Sequence, residues 1–432
     1  MLAAEKNGTL SVIRTRNLVL SLGGVLGLAA GAWRSGVFAL AAAKIIVILS
    51  GLAASIIWAR FVDPEEYGRF QTVLSILAIA SGYNLAGYRQ SMQIAAARSL
   101  GGELRNAVKV KVATSIVLGL GLLTAGLYLW TTGSLLGLPL ALAGLSFPLF
   151  ELKQIWPGWI NGLGRLDVLA GLQMGESLTK LALLAVVVFF FTATASGFVI
   201  ALITTIGVMS AAVVFVLWRR IENINRDSSV RRFGYHASIG GVIAPLVFTD
   251  NLLLNYHDGA TQVAVYTMAM VFPRRIQDAF NVVHQALLPG LASAPNLRSA
   301  WCYLRRYFLW IFMAFAGLGL IGFFLLPFVI PLLLSARYEI TIPFARWMWL
   351  VTAISAPFSL LGLTMMAQAC NLTPYVSAGH DVVRFLLFFI LIESHGILGV
   401  VAARFATTLL LAAAWLLLFR YYLRTETESA NV

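Results

Sequence analysis

The sequence predicts an all-α integral membrane protein with about twelve transmembrane helices. The chain of 432 residues is 59% hydrophobic and only 11% charged, and its mean hydropathy is +0.85. Soluble domains are about 45–50% apolar and about 25% charged, so a chain of this composition needs lipid around its apolar surface. The net charge of +13 then indicates basic cytoplasmic loops, not a nucleic-acid partner.

Twelve stretches come close to the ~20 apolar residues that cross a bilayer as a helix. They are residues 37–59, 68–96, 110–131, 135–157, 168–191, 196–218, 237–257, 262–289, 307–334, 343–369, 375–392 and 396–419. The longest predicted connection, at about 219–236, is still short. We therefore expect no separate soluble domain.

The distribution of basic residues predicts the orientation. Of the 31 Lys and Arg residues, 19 fall in segments that are cytoplasmic if the N-terminus is inside, 3 fall on the opposite side, and 9 lie within spans. This bias over short loops predicts that both termini are cytoplasmic. Residues 17–33 resemble a signal peptide or a further span, but a further span would invert all later loops. We interpret them as an interfacial or tucked helix, with cleavage as the lesser alternative.

A weak internal repeat divides the chain into two halves. The stretch "FVDPEEYGRFQTVLSI" from Phe61 and the stretch "NYHDGATQVAVYTMAM" from Asn255 each end a span with an Asp, cross a short loop and enter the next span through a Tyr. Such repeats are common in transporters. The predicted organisation is an N-terminal segment, a six-helix bundle, a cytoplasmic linker, a second six-helix bundle and a cytoplasmic tail, at residues 1–36, 37–219, 220–236, 237–419 and 420–432.

The stretch "RFVDPEEYGRF" holds three carboxylates and admits two interpretations. Asp63 fits an N-cap, Pro64 fits the first helical position, and Glu66 fits the third position of a capping box. The alternative is the acidic metal site of a membrane glycosyltransferase or polymerase, which would need larger outer loops than this chain has. We favour the helix start.

Two longer stretches resemble the bacterial polysaccharide transporter family. "FVDPEEYGRFQTVLSILAIASGYNLAGYRQSM" is similar to the first-to-second-span signature of that family, in which a short P-E-x-Y-G loop precedes an apolar helix. "FTDNLLLNYHDGATQVAVYTMAMVFPRRIQDAFNVVHQALLPGLA" is similar to the seventh and eighth spans of the family. The chain departs from the pattern at "ATQVAVY", where a Gly usually precedes the Tyr.

The resemblance implies a flippase for lipid-linked oligosaccharides of the O-antigen or exopolysaccharide type. The fold would be that of the multidrug/oligosaccharidyl-lipid/polysaccharide exporter superfamily, with two pseudo-symmetric six-helix bundles around a central cavity. The substrate would be an undecaprenyl-diphosphate-linked repeat unit in the bacterial inner membrane. Membrane lipids would surround the protein, and a polysaccharide polymerase and a chain-length regulator would be partners.

Other function classes remain as alternatives. They are a multidrug antiporter of the same superfamily, a lipid II flippase and, less favoured, a membrane glycosyltransferase or polymerase. The sequence contains no Walker A loop, no cluster with metal-ligand spacing and no Ser-His-Asp arrangement. We therefore expect neither an enzyme nor a metal or cofactor requirement.

Ionisable residues inside spans are the candidate site residues, because charge at membrane depth normally faces a cavity or a partner. Nine are basic and five acidic, a surplus that suits an anionic diphosphate. Helix spacing predicts pairs of Glu176 with Lys180, of Arg274 with Asp278 and of Asp381 with Arg384, while Lys153 and Arg346 are expected to reach the interface.

The predicted headgroup site combines cations from both halves. Arg89 and Arg274 are the first candidates, followed by Lys44 and then by Arg275 and Arg404. Asp250 is expected either to neutralise a facing cation, which we favour, or to couple transport to ions. Three amides are possible sugar contacts, or else bind helices together; they are Asn84, Gln90 and Asn251.

Overall fold

The computed structural model describes residues 37–221, 225–240, 243–292, 294–368, 370 and 372–429, and all regular secondary structure in these ranges is helical. The predicted N-terminal segment, including residues 17–33, lies outside the described residues. The α-helices of the first half are α1 Val37–Phe61, α2 Pro64–Tyr83, α3 Tyr88–Ala97, α4 Gly101–Thr131, α5 Gly137–Glu151, α6 Trp156–Gly162, α7 Leu166–Phe190, α8 Ala195–Phe198 and α9 Thr205–Arg219. Those of the second half are α10 Ser228–Gly240, α11 Asp250–Asp258, α12 Ala260–Ala269, α13 Val271–Ala292, α14 Leu297–Leu334, α15 Ile342–Ser355, α16 Ser359–Ala367 and α17 Thr373–Ser429.

Seven helical stretches among the described residues are long and apolar enough to cross a membrane. They are Ala42–Phe61, Gly101–Thr131, Leu166–Phe190, Ala195–Arg219, Leu297–Leu334, Ala336–Ala367 and Tyr375–Thr425. The last of these covers two predicted spans, which meet at Gly396, a residue with non-helical backbone angles. The prediction of an all-helical, multi-pass membrane protein is confirmed, whereas the count of twelve crossings and the division into two bundles stay predictions.

The other predicted spans fall where helices are interrupted. A 3₁₀ segment, Leu152–Gln154, separates α5 from α6, and another, Ala244–Thr249, precedes α11. Pro245 lies inside the second of these segments, as expected for a residue that lacks the N–H of the helical ladder. The interruptions place polar residues of helix ends within the predicted spans.

The acidic stretch is a helix start, as predicted. The Glu65 backbone N–H donates to Asp63 Oδ1 at 3.1 Å, and Pro64 is the first residue of α2. The capping-box role of Glu66 is wrong, because this carboxylate accepts from the Ala195 N–H at 2.6 Å and pairs with Arg69. Glu66 therefore joins the start of α2 to the start of α8.

The first and second halves pack together at the predicted periplasmic end. The buried core that contains Trp58 and Tyr67 of the first half also contains Met268 of the second half. A Cβ added at Gly68 would lie 1.7 Å from the carbonyl oxygen of Ala260, so only glycine permits this approach of α2 to α12. This end of the molecule is closed by direct helix contact.

Candidate functional site

A cavity of about 300 Å³ in the first half gathers four basic side chains. Lys44 comes from α1, Arg89 is the second residue of α3, Lys153 lies in the 3₁₀ segment after α5, and Lys180 projects from α7. Glu176, also on α7, is the one carboxylate in the lining. We call these five residues the cationic pocket.

The pocket carries surplus positive charge. Glu176 Oε1 lies 2.6 Å from Lys153 Nζ and 2.5 Å from Lys180 Nζ, so one carboxylate serves two ammonium groups. No carboxylate pairs with Lys44 or Arg89 among the residues that the structure describes. Charge at membrane depth is costly unless it is compensated, so these two cations are suited to an anionic ligand.

Helix breaks create the pocket. The turn between α2 and α3, where Leu85 has a φ of 53°, places Arg89 at the start of a new helix. A Cβ added at Gly158 would lie 2.3 Å from the Arg89 carbonyl oxygen, so α6 packs directly on this turn. The break after α5 thereby brings Lys153 close to Arg89.

A polar network around a fully buried ion pair joins the two breaks. Lys111 Nζ lies 2.9 Å from Glu151 Oε2, and the two side chains are 1% and 0% exposed. Glu151 also accepts from Ser81 Oγ and, at 2.8 Å, from Asn84 Nδ2, while Lys111 donates to the Asn84 carbonyl oxygen. Thr114 Oγ1 donates to Asn84 Oδ1 at 2.5 Å. The network thus fixes the end of α2, the middle of α4 and the end of α5 together.

The sequence did not reveal this network. Lys111 is the second residue of the predicted third span, 110–131, where a basic residue is expected to reach the cytoplasmic side, but α4 begins nine residues earlier and Lys111 is buried within it. The available signal was Glu151, an acid within a span that had no basic residue three or four positions away. For Asn84, which was open as a sugar contact or a link between helices, the 0% exposure and the hydrogen bonds within the network favour the link between helices.

Asp250 lies in an ion pair in the second half, as we favoured. Its Oδ2 lies 2.5 Å from Arg404 Nη2 and accepts from the Tyr266 hydroxyl at 2.7 Å. The Arg404 guanidinium also lies over the rings of Tyr266 and Phe388. Arg404 is therefore engaged by protein groups and is not an open cation of the cavity.

The pairing on α13 differs from the prediction. Arg275, not Arg274, binds Asp278, with an Nη1–Oδ2 distance of 3.0 Å. The Arg275 guanidinium is next to Gly51 of α1. Arg274 is exposed. Of the two arginines, Arg274 is the one without a carboxylate partner among the described residues.

Several other predicted placements also change. Lys153 lines the cationic pocket, and Arg346 Nε donates to the Phe323 carbonyl at 2.9 Å, so both side chains contact protein groups. Asp381 contacts His380 at 3.0 Å in place of the expected Arg384. The predicted pair of Glu176 with Lys180 is confirmed.

The two remaining amides differ in accessibility. Asn251 is 6% exposed, and its Nδ2 donates to Ser75 Oγ at 2.8 Å, so it binds α11 to α2. Gln90 is exposed beside Arg89. Of the three amides, only Gln90 is accessible to a ligand.

Known proteins match the chain in two ways. A family model described as "Polysaccharide biosynthesis protein" matches residues 33–294. A multidrug resistance MATE family transporter of the MOP superfamily, in its inward-facing conformation, matches with a TM-score of 0.72 at 14% identity over 88% of this chain and 96% of its own. The outward-facing conformation of such a transporter matches with a TM-score of 0.62 at 14% identity over 91% and 96%.

A third solved structure is a MOP superfamily transporter from Pyrococcus furiosus. It matches with a TM-score of 0.64 at 14% identity over 89% of this chain and 95% of its own, and it is described as having a binding pocket of reverse polarity that suggests a different function. No curated protein matches the chain. Identities this low show the fold alone, which is that of the MATE-like transporters.

Proposed function

Because the chain belongs to the polysaccharide biosynthesis protein family, we propose that it is a flippase for undecaprenyl-diphosphate-linked oligosaccharide repeat units. It would move these units across the bacterial inner membrane for O-antigen, capsule or exopolysaccharide synthesis. The observation that supports this substrate most directly is the cationic pocket, in which Lys44 and Arg89 have no carboxylate partner among the described residues. A polymerase and a chain-length regulator would act on the translocated units.

The pocket supplies the chemistry that a diphosphate needs. A guanidinium presents a planar fork of donors that matches two phosphate oxygens, and ammonium groups act as point charges around it. Arg89 would take the bidentate contact, and Lys44 would neutralise a second oxygen. Lys153 and Lys180 are both paired with Glu176. They would add positive electrostatic potential around the diphosphate while they keep Glu176 as their counter-charge.

Alternating access would carry the headgroup from this pocket to the other leaflet. The contact of Gly68 with Ala260 closes the predicted periplasmic end, and the higher of the two compared TM-scores belongs to an inward-facing transporter. Both facts support an inward-facing state that admits substrate from the cytoplasmic leaflet. Arg274, which is exposed and has no carboxylate partner among the described residues, would meet the diphosphate when the halves rearrange.

The second candidate function is a multidrug antiporter, which the fold also permits. Acidic groups would favour organic cations, whereas the pocket here has four basic residues and one acidic residue. For the Pyrococcus furiosus transporter, a pocket of reverse polarity suggests a different function. The basic character of the present pocket favours an anionic lipid over a cationic drug as the substrate.

The proposal is tested by complementation in a host that lacks its own O-antigen or exopolysaccharide flippase. The wild-type chain should restore surface polymer and remove lipid-linked intermediates from the cytoplasmic leaflet. Arg89→Ala and Arg274→Ala should fail at normal expression, since a lost charge-assisted contact of ~1.5–3 kcal/mol weakens binding roughly tenfold to hundredfold. The matched control is Arg98→Ala, because Arg98 is exposed and binds Asp227 outside the pocket.

Binding to the purified protein separates the candidate functions. Undecaprenyl diphosphate should bind more tightly than undecaprenyl monophosphate, and increasing salt should weaken both. Tight binding of tetraphenylphosphonium with no binding of either lipid would support the antiporter. Persistent accumulation of intermediates on the inner leaflet in several hosts would contradict translocation.

A further inference from the structure

A second cavity, of about 290 Å³, lies in the other half of the protein. It is bounded by α13, by the consecutive helices α15 and α16, and by α17. This volume is at the lower end of the ~300–1,000 Å³ that small-molecule sites occupy. It suits one small polar group rather than a whole oligosaccharide.

One wall of the cavity is a polar stripe on α13. Gln277, Asn281 and His284 are spaced by four and three residues, so they share one helix face. Gln277 and Asn281 are both exposed, and no hydrogen bond of either side chain is found within the described part of the chain. A His284 ring nitrogen lies 3.0 Å from Ser359 Oγ. Two amides thus present unused donors and acceptors to the cavity.

The facing wall is a row of hydroxyls. Thr352, Ser355 and Ser359 are spaced by three and four residues along the α15–α16 segment, and Thr408 of α17 adds a fourth hydroxyl. Ser355 and Ser359 donate to carbonyls of their own helical segment, which leaves oxygen lone pairs to accept from a ligand. The wall therefore offers hydroxyl groups and no formal charge.

Aromatic rings complete the cavity. Phe280 is 4% exposed and Trp415 is 6% exposed, so both are held rigidly by their neighbours. No Asp, Glu, Lys or Arg is among the lining residues that the structure describes. Neutral hydrogen-bonding groups against aromatic faces match a sugar, which has hydroxyls at its edge and C–H groups on its faces. They do not match a phosphate.

The two cavities lie at a similar depth. Gly51 of α1 contacts Arg275 of α13, and the two helices run in opposite directions, because α1 ends and α12 begins at the closed end. At about 1.5 Å per residue, Lys44 lies about 10 Å from Gly51 and Asn281 about 9 Å from Arg275, both away from the closed end. The cationic pocket and the neutral cavity therefore flank the same level of the molecule.

We propose that the neutral cavity is a subsite for an uncharged sugar of the lipid-linked substrate. This inference rests on the proposed function and extends it, since the first half would hold the diphosphate while the second half selects the sugar attached to it. Gln277 and Asn281 would donate to and accept from sugar hydroxyls, and the accessible edges of Phe280 and Trp415 would form an apolar floor for the sugar. The substrate would then contact both halves at once.

The test measures the affinity of purified full-length protein for three probes. They are undecaprenyl diphosphate, the same lipid carrying one glucose, and the same lipid carrying one N-acetylglucosamine. Two added hydrogen bonds should make at least one sugar-bearing lipid bind about tenfold more tightly than the sugar-free lipid. The variant Gln277→Leu/Asn281→Leu should lose that gain and keep its affinity for the sugar-free lipid.

Controls separate this inference from the proposed function. Asn161→Leu, at an exposed asparagine outside both cavities, should bind all probes as the wild type does. Arg89→Gln should weaken all three probes equally. Equal wild-type affinity for all three probes, which needs no variant to fold, would overturn the sugar subsite and leave the flippase standing. Failure of the wild type to bind any probe would overturn both.

Discussion

The buried network at the helix breaks makes the sharpest prediction about stability. Lys111→Met removes the ammonium partner of Glu151, a carboxylate that is 0% exposed. Removal of one member of a buried ion pair typically costs about 3–5 kcal/mol, because the remaining charge is uncompensated. Ser81 and Asn84 still donate to Glu151, so we expect a loss near the lower end of that range.

The assay is equilibrium unfolding in mixed micelles, arranged as a double-mutant cycle. Lys111→Met and Glu151→Leu should each destabilise the protein by about 3 kcal/mol, whereas the double variant should lose less than the sum of the two. The matched control is Lys109→Met, an exposed lysine on the same helix, which should change the free energy of unfolding by less than about 0.5 kcal/mol. The coupling is refuted if the loss of unfolding free energy in the double variant equals the sum of the two single losses. It is also refuted if Lys111→Met is as stable as the control.

Three further predictions concern other parts of the fold. Gly68→Leu should force the closed end apart and abolish transport while the fold is retained. The opening would be measured as a longer distance between spin labels placed on either side of that end. Gly396→Ala should destabilise the protein by about 1–2 kcal/mol in the same unfolding assay, because φ is 53° there and a left-handed conformation strains a residue with a Cβ. Asp250→Asn should cost about 3 kcal/mol, and Arg404→Met/Asp250→Asn should recover part of it. If Asp250→Asn instead abolishes transport and leaves the free energy of unfolding unchanged, the result would indicate that Asp250 couples transport to ions.

Much of the fold follows from the sequence because lipid leaves the backbone few choices. Each backbone polar group in the hydrocarbon must be satisfied internally, so long apolar stretches form helices. The predicted spans at 110–131 and 196–218 fall within candidate spans of the structure, and the span at 168–191 exceeds Leu166–Phe190 by one residue. The cap at Asp63 was also predictable, because Asp-Pro-Glu-Glu encodes a helix start locally.

The candidate site was only partly predictable from the sequence. The spacing of charged residues along a helix shows which ion pairs are possible, but it does not show which of them forms. Asp278 has arginines both three and four residues before it, and both positions allow a contact. The structure selects Arg275, whose guanidinium lies against Gly51 of α1, a neighbour that helical spacing does not reveal. Interhelical partners such as Lys111 and Glu151 are harder still, because the two residues are forty positions apart.

The positive character of the interior follows from how its acids are used. Every acid within the predicted spans contacts a basic or titratable side chain in the described structure, and the contacts are Glu151 with Lys111, Glu176 with Lys153 and Lys180, Asp250 with Arg404, Asp278 with Arg275, and Asp381 with His380. Of the in-span cations that have no carboxylate partner, Arg346 donates to the Phe323 carbonyl and Arg384 donates to Thr407 Oγ1. In the part of the chain that the structure describes, this leaves three cations with no side-chain hydrogen bond or ion pair, and they are Lys44, Arg89 and Arg274. Since uncompensated charge at membrane depth is costly, these three cations need a counter-charge from outside the protein. A diphosphate headgroup would supply it, and a cationic drug would increase the imbalance.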